Sequence, residues 1–133
     1  ELVLPDGQRR PYSMWLSGVY PRALDGLCKV LSLDMRVIDP AWIGMKLRKL
    51  LTYDEPLGDF MARVPGAQRQ ANFPSTVAYV AQLIIHRYTM LGVLDEDGFP
   101  LREMGVRTTT AEPMPTTSGR CTANRARNAA TRR

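Results

Sequence analysis

"IDPAWIGMKLRKLLTYDEP", Ile38 to Pro56, carries the marks of a helix set into a core. Asp39 is a candidate N-cap, Pro40 takes the first helical position, and Pro56 stands beyond the end. Ile43, Leu47, Leu50 and Leu51 recur at helical spacing and make one apolar stripe. Lys46, Arg48 and Lys49 fall on another face near the C-terminus, where cations favour the helix dipole. A basic face can also lie on phosphate or lipid, but a solvated face is the simpler expectation. The segment therefore predicts an amphipathic helix over about residues 40–52 that needs apolar partners on either side.

Both flanks supply them. In "YPRALDGLCKVLSLDMRV", Leu24, Leu27, Cys28, Leu31 and Met35 share a helical face, and Pro21 suits a first turn, so a helix is predicted near 21–34. Gly26 weakens that helix and predicts close packing against a neighbour. Cys28 reads as a small core residue rather than a nucleophile. On the other side, "PSTVAYVAQLIIHRYTMLGVLD" predicts a helix near 74–91, opened by Pro74 and capped by Gly92. Val77, Val80, Ala81, Ile84, Tyr88 and Leu91 form its face. His86, the only histidine, lies off that face beside Arg87 and is expected to be an exposed helix side chain. Between the last two helices, residues 54–74 hold three prolines and two glycines without sustained period. They predict a packed connector with one short turn around Asp59–Arg63.

The chain opens differently. "ELVLPDGQRRPYSMWLSG" reads as two extended runs around Asp6-Gly7, with Tyr12, Met14 and Leu16 alternating with Ser13, Trp15 and Ser17. Residues 1–17 are thus predicted to form a two-stranded hairpin with a five- or six-residue loop. The expected fold class is α+β, with this small hairpin packed on about three helices. Its predicted core is Leu24, Leu27, Leu31, Ile43, Leu47, Leu50, Val77, Val80, Ile84 and Tyr88.

A chain of 133 residues with a formal charge of +5 invites a search for an anionic partner. The excess is local. Residues 107–133 hold six arginines (Arg107, Arg120, Arg125, Arg127, Arg132 and Arg133) against one acid, Glu112, while 12 bases and 12 acids cancel over residues 1–106. Thr, Pro, Ser, Ala and Arg dominate that end without periodicity, which predicts disorder. Two domains of description follow: a globular unit over 1–106 and a basic tail over 107–133. Two cysteines, Cys28 and Cys121, make no disulfide framework and fit a reducing cytoplasm. No apolar run approaches 18 residues, so no membrane span is expected. A first residue Glu1 inside a strand-like run fits a piece of a longer polypeptide.

The chemistry-bearing patterns are thin. There is no phosphate-binding glycine loop, no C-x-x-C pair or His/Cys cluster for zinc, and no nucleophile elbow. "DEDGF" at 95–99 is a turn without the alternating acids of a calcium loop. Asp54/Glu55 and Asp95/Glu96/Asp97 sit in turns and are expected to be solvated. No catalytic, cofactor-binding or metal-ligating residue is assigned.

The runs "RRPYSMWLSGVYPRALDGLCKVLSLDMRVIDPAWIGMKLRKLL", "GDFMARVPG" and "FPSTVAYVAQLIIHRYTMLGVLDEDG" carry a family likeness. Over about residues 1–106 they resemble the C-terminal domain, of the kind named TSCPD, of adenosylcobalamin-dependent (class II) ribonucleoside-diphosphate reductases. The resemblance implies an accessory domain of an oxidoreductase that makes deoxyribonucleotides for DNA synthesis. It places the radical cysteine, the reducing cysteine pair and the adenosylcobalamin site on an upstream catalytic barrel, which is the implied partner. No cofactor is expected on this segment, and no activity from it alone.

Such chains often finish in C-x-x-C pairs. Here Ser118–Cys121 could match the entry to that segment, but "TANRARNAATRR" supplies no second cysteine. Three readings of the ending stand side by side: a frameshifted or non-native run from about residue 122, an ordinary disordered basic tail, and a functional basic arm. The alternative from another class is a nucleic-acid-binding module. It would pair helices 21–34 and 40–52 as a helix-turn-helix, with Lys46, Arg48 and Lys49 on the second helix. The long link "LDMRVID" and the neutral body count against it.

Overall fold

The computed structural model describes residues 1–102. The predicted tail over 107–133, with Cys121, lies outside the described residues. The elements run β1 (Leu2–Val3), β2 (Arg9–Arg10), α1 (Ala23–Asp34), α2 (Pro40–Leu50), β3 (Phe60–Arg63), β4 (Gln70–Phe73) and α3 (Thr76–Met90). Among the described residues, three helices and two separate antiparallel hairpins, β1-β2 and β3-β4, make an α+β fold, as expected.

The three predicted helices are present, and their ends have local causes. Asp39 caps α2 by accepting from the Ala41 N–H, with Pro40 in the first turn. The α3 cap is Ser75, whose fully buried hydroxyl accepts from Ala78 N at 3.1 Å and donates to Tyr53 O at 2.7 Å. One serine thus fastens the start of α3 to the end of α2. Ser75→Ala is expected to lower the unfolding free energy by about 1–2 kcal/mol in urea titration, because a cap and the Tyr53 carbonyl both lose their partner. At the far end, Gly92 N–H bonds Thr89 O and Val93 N–H bonds Tyr88 O. With Gly92 at φ +72°, this is a Schellman stop, and it turns Val93 and Leu94 back into the core.

That core gathers Leu31 from α1 and Met35 at its C-cap, Ile43 and Leu47 from α2, and Val80, Ala81, Ile84, Ile85 and Tyr88 from α3, closed by Val93 and Leu94. Of the predicted set, Leu24, Leu31, Ile43, Leu47, Val80, Ile84 and Tyr88 are buried, and Leu27 and Leu50 are partly buried against the cluster. Val77 is only half-buried, on the rim of a groove shared with Leu24, Leu27 and Leu50. Cys28 is buried on α1, as read.

Three expectations need correction. Residues 54–74 hold a second hairpin rather than a connector with a single turn. Phe60 pairs with Phe73 and Arg63 with Gln70, and Gly66 at φ +78° makes the turn. Phe60, Ala62, Ala71 and Phe73 point inward while Met61, Arg63, Gln70 and Asn72 point out. The hairpin is fastened by rings: Phe73 meets Tyr79 of α3 edge-on at 4.8 Å between centroids, and Phe60 meets Tyr79 at 5.7 Å.

The N-terminal hairpin is shorter than predicted. Strand pairing covers only Leu2 with Arg10 and Val3 with Arg9, around a five-residue loop. Pro11 has no N–H to continue it. The run Tyr12–Leu16 instead exchanges both backbone bonds of Met14 with the Ser32 hydroxyl on α1, at 2.9 and 3.2 Å. Arg10, itself buried, donates to Ile38 O in the α1–α2 link and to the Gln8 side chain, which anchors the hairpin to the helices.

Gly26 is the third correction. A Cβ there would meet nothing within 4 Å, so it marks no close packing. The helical glycine that does is Gly44, where a Cβ would lie 2.4 Å from the Gly98 carbonyl oxygen.

Candidate functional site

The cations of α2 are mostly committed inside the domain. Lys46 Nζ lies 2.8 Å from both carboxylate oxygens of Asp34 and 4.8 Å from the centre of the Trp42 ring. Trp42 donates its indole N–H to the same carboxylate at 2.9 Å. Arg48 donates to the Gly98 carbonyl at 2.6 Å and stacks over Phe99 at 4.0 Å. Of the three cations, only Lys49 has no hydrogen-bond or ion-pair partner for its side chain among the described residues.

Asp34 gains from its partners more than it loses by burial. Burial raises its carboxyl, but the hydrogen bonds from Lys46 and Trp42, and the Lys46 charge, hold it below the ordinary aspartate value of 3.8. A carboxyl lowered on folding stabilises above its unfolded value, and that contribution is lost as pH falls through the lowered folded value. Acid titration of stability from about pH 6 to about pH 3 should therefore fall less steeply in Asp34→Asn than in the parent.

Cys28 is no nucleophile in this setting. Burial first, and then the nearby Asp25, push its thiol upward, away from the thiolate. Asp25 also accepts from the Tyr20 hydroxyl at 2.7 Å. Among the described residues no group of three or more His, Cys, Asp or Glu side chains is placed to hold a metal ion. No helix among them is long and apolar enough to cross a membrane.

His86 differs from expectation. It is half-buried rather than exposed, and its ring lies against the turn of the second hairpin, where a Cβ on Gly66 would come within 2.6 Å of its Cε1. Glycine at 66 therefore serves both the positive φ and the close approach of the imidazole. The ring belongs to a cleft of about 580 Å³ between the β3-β4 turn, the α3 face and the turn after α3. The cleft brings His86 together with Arg69, Gln82, Glu96 and Asp97, which sequence reasoning had left apart. The signal was partly visible: Gln82, Ile85, His86 and Thr89 fall at i, i+3, i+4 and i+7, a second face of α3. What sequence did not carry was the hairpin opposite.

The turn at 95–99 is as read. Asp95 accepts from Asp97 N at 3.0 Å and Phe99 N at 2.8 Å, and Gly98 has φ +84°. The carboxylate of Asp95 is thus used up in shaping the turn, while Glu96 and Asp97, both exposed, line the cleft and their carboxylates have no partner among the described residues.

The other conspicuous surface is apolar. Val30 and Leu33 on α1, Val37 and Ile38 in the link, and Trp42 and Met45 on α2 are all exposed, Ile38 at 68%. Trp15, beside α1 in the extended run, is 78% exposed. No family model, no curated protein and no solved structure matches the chain.

Proposed function

We propose that this chain is the C-terminal accessory domain of a cytoplasmic, adenosylcobalamin-dependent ribonucleoside-diphosphate reductase, acting by docking on the catalytic barrel rather than by chemistry of its own. The long runs quoted above, which resemble that domain over about residues 1–106, support the family reading. The observation that carries the docking role is the α1–α2 corner, where Leu33, Ile38, Trp42 and Met45 stand exposed in succession. A patch of that kind on a small domain marks an interaction surface. On this reading the barrel covers it, and adenosylcobalamin belongs to the barrel; no described residue is assigned to the cofactor.

The test starts at the genomic locus and ends with protein. An in-frame upstream barrel, co-expressed with residues 1–133, should co-elute with the chain. Leu33→Glu with Ile38→Glu should release it while leaving the chain's own melting curve in place. A locus without such a barrel, or nucleotide reduction by residues 1–133 alone, overturns the proposal.

A further inference from the structure

We propose that the cleft between the second hairpin and α3 binds a zwitterionic, amino-acid-like small molecule, its carboxylate on Arg69 and its ammonium on Glu96 and Asp97. The inference is independent of the accessory-domain reading. A hollow of about 580 Å³ falls in the range of small-molecule sites. Each wall is tied to α3. The hairpin turn is pressed to α3 through Gly66 and the His86 ring, and the single Thr89 hydroxyl proton is shared between Ile85 O at 2.9 Å and Asp95 O at 3.1 Å, tying the last turn to the helix.

The polar groups in it are those the domain does not use. The side chains of Arg69, Gln82, His86, Glu96 and Asp97 make no hydrogen bond or ion pair among the described residues. By contrast, Asp95, in the same turn, is consumed by two backbone N–H groups. Arg69 stands on the hairpin wall, and the two carboxylates on the opposite turn. They share one hollow without coming within ion-pair distance of each other.

The opposite charges on the two walls set the ligand class. A simple anion would satisfy Arg69 and be repelled by Glu96 and Asp97, and a simple cation would do the reverse. A molecule carrying both charges satisfies both ends. Arginine offers a carboxylate two parallel donors, and an ammonium takes charge-assisted bonds from carboxylates. Between the ends, the half-buried Val64, Pro65, Ala67 and Ala71 of the hairpin give an apolar floor for a side chain, and Gln82 and His86 offer hydrogen-bonding groups beside it. The floor selects an apolar or aromatic amino acid over a charged one.

The probe is L-phenylalanine, titrated calorimetrically into the full chain, with N-acetyl-L-phenylalanine and L-phenylalanine amide as single-charge controls. Saturable binding is expected below about 10 mM, with each control at least about tenfold weaker. Arg69→Gln should abolish the preference over the amide, and Glu96→Gln with Asp97→Asn the preference over the acetyl derivative. These side chains have no partners to lose, so circular dichroism should report unchanged folding. No binding up to about 10 mM overturns the proposal. So does equal binding of a doubly capped derivative, which would mean a peptide groove, or binding indifferent to both sets of substitutions.

Discussion

Leu47→Ala is expected to lower the unfolding free energy by about 2–5 kcal/mol, read as a shift of the urea midpoint at constant m-value. Leu47 is 0% exposed and sits in α2 among residues contributed by α1, α3 and the segment after Gly92. Alanine removes the buried methyl groups and leaves a hole that neither neighbouring helix can close without moving the other. Domains of this size have stabilities of about 5–15 kcal/mol, so a large share is at stake. An unchanged midpoint would show that this face of α2 is not core.

The second large effect has an unusual sign. Glycine to alanine inside a helix ordinarily stabilises, by up to about 1 kcal/mol. At Gly44 the new methyl would lie 2.4 Å from the Gly98 carbonyl oxygen, 3.3 Å from the Arg48 guanidinium and 3.4 Å from Leu94. The first of these is backbone, in a turn pinned by Arg48, and cannot swing aside. Gly44→Ala should therefore destabilise, in the upper part of the roughly 1–3 kcal/mol range for overpacking. Gly26→Ala supplies the control, since nothing lies within 4 Å of its Cβ position. It should stabilise by about 0.4–1 kcal/mol. Thermal melts of the two variants moving in the same direction would contradict the packing described here.

The pair also shows where sequence reasoning stopped. Both glycines interrupt a helical pattern in the same way, and only the distant turn at Gly98 distinguishes them. The helices themselves were legible because their periodic faces are long and their ends carry chemical marks in Asp39, Pro40, Pro74 and Gly92, although the Ser75 cap was not read. The second hairpin was not. Its strands are four residues long, and their alternation is carried by Ala62 and Ala71, whose hydrophobic signal is faint, against an outward Met61. Missing the hairpin meant missing the cleft. His86 was judged by its neighbours in sequence, whereas Gly66, Arg69, Glu96 and Asp97 reach it only through the fold.

The ring contacts of Phe60, Phe73 and Tyr79 lie outside the cluster that joins the helices. The molecule is therefore sewn by two unequal seams, and the smaller is expected to part first. Amide exchange would separate them: amides of the second hairpin reach solvent by a local opening, while the buried stretch of α3 exchanges only when the whole domain unfolds. Such an opening would move the hairpin wall of the cleft like a door. Anything that bridges Arg69 to the opposite turn would slow that door, so that occupancy could be followed in the backbone of residues that touch no ligand.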